Sequence, residues 1–141
     1  MLNSSELPLI IFLVEDDEGH ASLLKRNFKR SGIVYQLKHL ADGKEALAYV
    51  DQLPPQDLSR LIVILDLNLP TISGFDVLKE LKSSLKTHYI PVFILSTTSN
   101  KEEITKCYAL GCNIFLTKPV EYEDLSEAIS NLGKLMKIIK T

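Results

Sequence analysis

Five short aliphatic blocks recur along the chain, and each is followed by a stretch whose apolar residues fall at helical spacing. The blocks are Leu9 to Val14, Val34 to Leu40, Leu61 to Leu65, Val92 to Leu95 and Asn113 to Leu116. A strand covered on both faces reads as such a run, about four to eight residues long with little alternation. Parallel neighbours need a right-handed crossover between them, and a helix supplies it. Five β-α units in series therefore predict an α/β chain with a doubly wound, five-stranded parallel sheet and helices on both faces.

The intervening segments carry their own signals. The first helix is expected to run to about Arg30, with Leu24 and Phe28 on one face, and to stop at Ser31-Gly32. Tyr35, Leu37 and His39 alternate with their neighbours, which places the second strand nearer a sheet edge. Asp42-Gly43 starts a helix that turns Ala46, Leu47 and Val50 inward, and the Pro54-Pro55 stretch from Leu53 to Arg60 reads as a loop. After the turn from Leu69-Pro70 to Gly74, a helix buries Phe75, Leu78 and Leu81, and Lys82 to Tyr89 reads as a loop or frayed turn. Ser99-Asn100-Lys101-Glu102 has the form of a capping box opening a helix that buries Ile104, Cys107 and Tyr108 and ends at Gly111. The last helix is expected from about Tyr122 to Ile139, with Leu125, Ala128, Ile129, Leu132, Leu135, Met136 and Ile139 on a wide apolar stripe.

A length of 141 residues suits one domain, residues 1–141, with residues 1–6 as a short loose tail. The 16 basic and 18 acidic side chains leave a net charge of -2, so no bulk attraction to nucleic acid or acidic membranes is expected. No apolar run approaches the roughly 20 residues of a membrane helix, and no basic segment precedes the first block as in a signal peptide. The chain reads as soluble, intracellular and cytoplasmic. Cys107 and Cys112 are too far apart for a C-x-x-C pair, and His20, His39 and His88 form no cluster with them, so both thiols are expected to be buried and reduced.

Open parallel sheets bind ligands beyond the carboxyl ends of their strands. Glu15-Asp16-Asp17 stands there after the first strand, Asp66 after the third, Ser96-Thr97 after the fourth and Lys118-Pro119 after the fifth. Crowded carboxylates repel unless one is protonated or a cation binds. Mg2+ resolves the conflict with one or two protein carboxylates, waters and phosphate oxygens, which points to a phosphate-linked Mg2+ site. No G-x-x-x-x-G-K-[ST] or G-x-G-x-x-G is present to hold a nucleotide. The residues alone leave open which two of the three acids form the pair, and Asp17 is the one expected to cap the first helix.

These stretches resemble the receiver domain of response regulators in two-component phosphorelay signalling. The resemblance rests on Val14-Glu15-Asp16-Asp17, Leu65-Asp66-Leu67-Asn68-Leu69-Pro70 with Gly74, Leu95-Ser96-Thr97 and Thr117-Lys118-Pro119, and it spans about residues 9 to 132. Their form is most like single-domain regulators paired with phytochrome-type histidine kinases. The resemblance implies a flavodoxin-like (βα)5 fold of strand order 2-1-3-4-5 and an Asp66 nucleophile that takes a phosphoryl group from the phosphohistidine of a sensor histidine kinase. Asp16 would ligate Mg2+ directly, Glu15 through water and Asn68 by its backbone carbonyl, with Asp66 also at the metal. Lys118 would pair with the phosphoryl group, Ser96 would hydrogen-bond it, and Phe115 would be the aromatic switch residue.

The chain stops soon after the fifth helix, so output is expected through a downstream protein partner or onward phosphotransfer, without nucleic acid or membrane. A homodimer through the face of helix four, strand five and helix five is also expected, with Leu132, Leu135, Met136 and Ile139 extending its apolar stripe. The competing reading is a Mg2+-dependent phosphohydrolase of the haloacid dehalogenase type. That class carries its nucleophile in a D-x-D motif on the first strand, where this chain has Glu15-Asp16-Asp17.

Overall fold

The computed structural model describes the backbone of residues 8–140 and the side chains of residues 8–131. The 1–6 tail and the side chains of Leu132, Leu135, Met136 and Ile139 lie outside the described residues. Strands β1 (Leu9–Val14), β2 (Tyr35–Leu40), β3 (Leu61–Asp66), β4 (Val92–Ser96) and β5 (Ile114–Thr117) alternate with helices α1 (Glu18–Ser31), α2 (Gly43–Gln52), α3 (Gly74–Ser83), α4 (Lys101–Ala109) and α5 (Tyr122–Lys140). All pairings are parallel and the order is β2-β1-β3-β4-β5, the expected doubly wound, flavodoxin-like topology.

The pleat divides each central strand between two cores. Ile10, Phe12 and Val14 of β1 join Val63 and Leu65 of β3 on one face, against Ala46 and Val50 of α2, Val77, Leu78 and Leu81 of α3, and Cys107 of α4. Ile11 and Leu13 join Ile62 and Ile64 on the other, against Ala21, Leu24 and Phe28 of α1 and Leu125, Ala128 and Ile129 of α5. All six β3 residues are buried, whereas β2 alternates half-buried and exposed positions. β3 is thus the sheet's centre and β2 an edge.

Several local expectations are corrected. The Leu53 to Arg60 stretch contains a helical turn, Pro55–Leu58, because proline at the first helical position has no N–H to lose and a φ already suited to the helix. Asn100, rather than Ser99, caps α4: its side chain accepts from the Glu102 and Glu103 N–H groups, and its extended backbone marks the helix start one residue later. Val34 precedes β2 with its side chain in solvent, although its carbonyl accepts from the Leu9 N–H. Asn113 likewise lies ahead of β5, and its side-chain oxygen accepts from the Val92 N–H. Of the three α4 residues expected inside, only Cys107 is buried, Ile104 is half-buried and Tyr108 is exposed. The Tyr108 ring stays outside because its hydroxyl accepts from the Phe115 N–H of the edge strand at 3.1 Å.

Candidate functional site

β1 and β3 are adjacent, and the register sets Val14 beside Leu65, so Glu15 and Asp66 emerge side by side at the carboxyl edge. Here the strand order reverses and the following connections leave to opposite faces, opening a crevice. Glu15 is fully buried and Asp66 nearly so. The Lys118 ammonium lies between them, with Nζ 2.5 Å from Glu15 Oε1 and 2.9 Å from Asp66 Oδ2. Its backbone is tied to the neighbouring strand, since the Lys118 N–H donates to the Ser96 carbonyl at 2.8 Å, and a cis peptide joins it to Pro119.

The other oxygen of Asp66, Oδ1, accepts from the Asn68 N–H at 3.2 Å. Both carboxylate oxygens are thereby held and the group has one orientation. Gly74 lets the loop close over this strand end: a Cβ there would lie 2.2 Å from the Asp66 carbonyl oxygen and 2.6 Å from the Leu67 Cα.

The three acids after β1 separate by role. Glu15 and Asp16 join Asp66 in a group whose ligand oxygens all lie within 4.8 Å of one another. Asp17 is outside that group and caps α1, its Oδ1 accepting from the His20 N–H at 2.9 Å. That bond holds its carboxyl below the usual range. Three carboxylates on a cleft edge suit a hard divalent cation, which takes oxygen ligands.

The electrostatics show the same need. Burial, reinforced by the hydrogen bond and charge of Asp66, pushes Glu15 up to about 7 against the pull of Lys118. Burial by itself lowers Lys118, but its hydrogen bonds to Glu15 and Asp66 and their charges together carry it above the ordinary lysine value. One ammonium between two buried carboxylates leaves uncompensated negative charge, which a cation would remove.

Ser96 ends β4 and is buried, its Oγ accepting from the Thr98 N–H at 3.1 Å. Phe115 is half-buried and packs on the core beneath α4. The cleft is lined by Asp16, Asp17, Asp66, Asn68, Lys118 and Thr97, all of which the sequence placed at strand ends, together with one residue it did not assign to the site, His20. For His20 a signal existed. It stands three residues after the Asp17 cap, so the first turn of α1 carries it over the same crevice.

The profile of the response regulator receiver domain matches residues 11–130. The chain is 37% identical to the probable methanogenesis regulatory protein FilR2 of Methanothrix harundinacea, over 91% of this chain and 83% of that protein. It is 34% identical to the response regulator Rcp1 of Synechocystis, over 94% of this chain and 91% of that one. A receiver domain from Rhodospirillum rubrum superposes with a TM-score of 0.73 at 40% identity, covering 92% of this chain and 94% of its own. The phosphorylated cyanobacterial phytochrome response regulator RcpA gives 0.74 at 31%, covering 92% and 94%. The Mn2+-bound form of Rcp1 gives 0.72 at 34%, covering 89% and 91%.

Proposed function

The chain belongs to the response regulator receiver domain family, and from that premise we propose that residues 1–141 act as one receiver whose Asp66 accepts a phosphoryl group from the phosphohistidine of a sensor histidine kinase. The carrying observation is the Asp66 carboxylate, held on both oxygens at the end of the central strand beside the Glu15 and Asp16 acids. An Asp66 oxygen attacks phosphorus, the new O–P bond forms as the P–N bond to the kinase imidazole breaks, and the electron pair stays with that nitrogen. Asp16, Asp66, the Asn68 carbonyl and, through water, Glu15 are the groups to hold Mg2+. The bound ion supplies charge neutralisation on the transferring oxygens.

Lys118 pairs with the incoming group as a point charge, and Ser96 leaves its bond to the Thr98 N–H to reach a phosphoryl oxygen. Phe115 then turns inward, and the altered face of α4, β5 and α5 signals by protein contact, including a homodimer, or by onward phosphotransfer. The only catalysis assigned to the chain is its own phosphorylation from phosphodonors and its own dephosphorylation. A cytoplasmic location accords with the described residues, in which no helix is long and apolar enough to cross a membrane.

The haloacid dehalogenase alternative is not supported, since the family model that matches residues 11–130 is that of the receiver domain. Intact mass after incubation with acetyl phosphate and Mg2+ tests the reading. One phosphoryl group, about 80 Da, is expected on the wild type, with none after EDTA and none on Asp66→Asn. An unchanged yield in that variant would remove Asp66 as the acceptor, and multiple turnover of p-nitrophenyl phosphate would favour an enzyme.

A further inference from the structure

An ammonium has three protons to donate and no lone pair, and three acceptors surround that of Lys118. Two are the carboxylates of the candidate site. The third is His20 Nδ1, 3.2 Å from Nζ, on the first turn of α1 and so on a different element from either acid. Because the lysine can only donate, Nδ1 carries the lone pair in this contact and the ring proton sits on Nε2. The other groups facing Nδ1 are Glu15 Oε1 at 3.4 Å and Asp17 Oδ1 at 3.8 Å. Both are longer contacts than the one to lysine, and Asp17 is already engaged in capping α1.

The geometry decides where the ammonium rests. Glu15, the nearest partner, is wholly buried, whereas the His20 side chain is 41% exposed at the cleft. Without the imidazole, Lys118 keeps only its two carboxylate partners, and the shorter of those contacts draws it inward, away from an arriving phosphoryl group.

We propose that His20 is a positioning residue of the phosphoryl-transfer site, whose Nδ1 accepts from Lys118 and holds the ammonium on the cleft side of the Glu15–Asp66 pair. The proposal rests on Asp66 being the phosphoacceptor. In the step concerned, an Asp66 oxygen bonds phosphorus while the P–O bond to the acetyl group of acetyl phosphate breaks and acetate leaves with the electron pair. The three phosphoryl oxygens bring the negative charge that Lys118 must meet.

The side chains of Asn and Gln separate the two ring nitrogens, since an Asn amide places an oxygen near the Nδ1 position and a Gln amide reaches that of Nε2. At saturating Mg2+, His20→Ala is expected to lower the maximal rate of labelling by acetyl phosphate about threefold to tenfold, the scale of one hydrogen bond to a charged group at a half-open site. The Mg2+ concentration for half-maximal rate is expected to stay unchanged. His20→Asn should restore most of the rate and His20→Gln should not. Nitrogen-15 NMR of the metal-free wild type should show the Nε2–H tautomer.

A wild-type rate in His20→Ala, equal rates in the Asn and Gln variants, or an Nδ1–H tautomer overturns the proposal. Wild-type protein that takes no label instead sinks the Asp66 reading, and the tautomer still decides whether His20 accepts from Lys118.

Discussion

Asp16 and Asp17 are chemically identical neighbours, so substituting each in turn isolates the metal from the fold. Asp16 is in the carboxylate group and makes no cap, whereas Asp17 caps α1 and is absent from that group. Asp16→Ala is expected to weaken Mg2+ binding in a calorimetric titration at least tenfold on the order expected for one lost carboxylate ligand, with little change in thermal midpoint. Asp17→Ala should do the reverse, lowering the midpoint by a few degrees through the lost cap and leaving the metal in place. The opposite pattern would shift the acid pair by one residue.

A second residue-level expectation concerns pH. Burial, and then the neighbouring Cys107, push the Cys112 thiol from 9.0 up to about 12. Between those values the folded protein keeps a proton that the unfolded chain has lost. The thiol's contribution is therefore complete below pH 9 and disappears as pH rises toward 12. Urea midpoints at about pH 8 and about pH 10.5 should fall more steeply for wild type than for Cys112→Ala, and equal slopes would count against the shift. Asp66 and Lys118 were legible in the sequence because each directly follows an aliphatic strand. Among Glu15, Asp16 and Asp17, the cap at Asp17 was legible from its place before the α1 pattern, whereas the pairing of Glu15 with Asp16 came only through the receiver resemblance, since it depends on which way each side chain leaves a turn. His20 was not assigned to the site because it belongs to no charged cluster in sequence, and its only signal is its place three residues after the Asp17 cap, on the first turn of α1.

The connection from β3 to α3 makes the sharpest demand on its sequence. It must return close enough for the Gly74 N–H to donate to the Leu67 carbonyl at 2.8 Å, and the backbone of Asp66 and Leu67 occupies the space a Cβ would need. These are backbone atoms, so no side-chain rotation relieves the overlap. Gly74→Ala is expected to cost about 1–3 kcal/mol in urea unfolding, as overpacking typically does, and to slow Asp66 labelling because the displaced strand end carries the nucleophile. Unaltered stability together with unaltered labelling would show that the loop is looser than its contacts imply. The same scale shows what local sequence signals resolve. Asp17 and Asp42 are recognisable caps because each precedes a helical pattern, and each accepts from its own helix. Adjacent Ser99 and Asn100 are both good caps, and the choice between them rests on where the backbone turns helical. The turn at Pro55–Leu58 was hidden because prolines that break a helix interior are well suited to starting one. Tyr108 matches the apolar face of α4 by periodicity, but its hydroxyl finds the free Phe115 N–H at the sheet edge, and spacing along one helix carries no information about a bond to another strand.

For the molecule as a whole, burial along the strands already separates centre from edge. β3 is aliphatic to its last residue before Asp66, whereas β2 exposes Gln36 and Lys38 between half-buried neighbours. The order 2-1-3-4-5 itself was legible only through the receiver resemblance, because a right-handed crossover rule restricts handedness without selecting the neighbour of each strand. β5 forms the other edge, pairing with β4 alone, and its Ile114 and Phe115 are only half-buried. Under the proposed function, this edge with the exposed Tyr108 of α4 is the surface where phosphorylation at Asp66 would have the shortest path to a partner, since Lys118 directly follows β5. If a phosphoryl group draws Lys118 and Ser96 toward it as proposed, it would act on the ends of β5 and β4 together. It can favour a second copy only by stabilising the arrangement that copy binds. Sedimentation across a range of concentrations should therefore show a dimer that tightens with beryllofluoride and Mg2+, and Tyr108→Glu should weaken it by placing charge on the shared face. A monomer under both conditions at high concentration would remove the dimer and leave the Asp66 chemistry intact. A dimer insensitive to both beryllofluoride and Tyr108→Glu would place the contact elsewhere on the molecule.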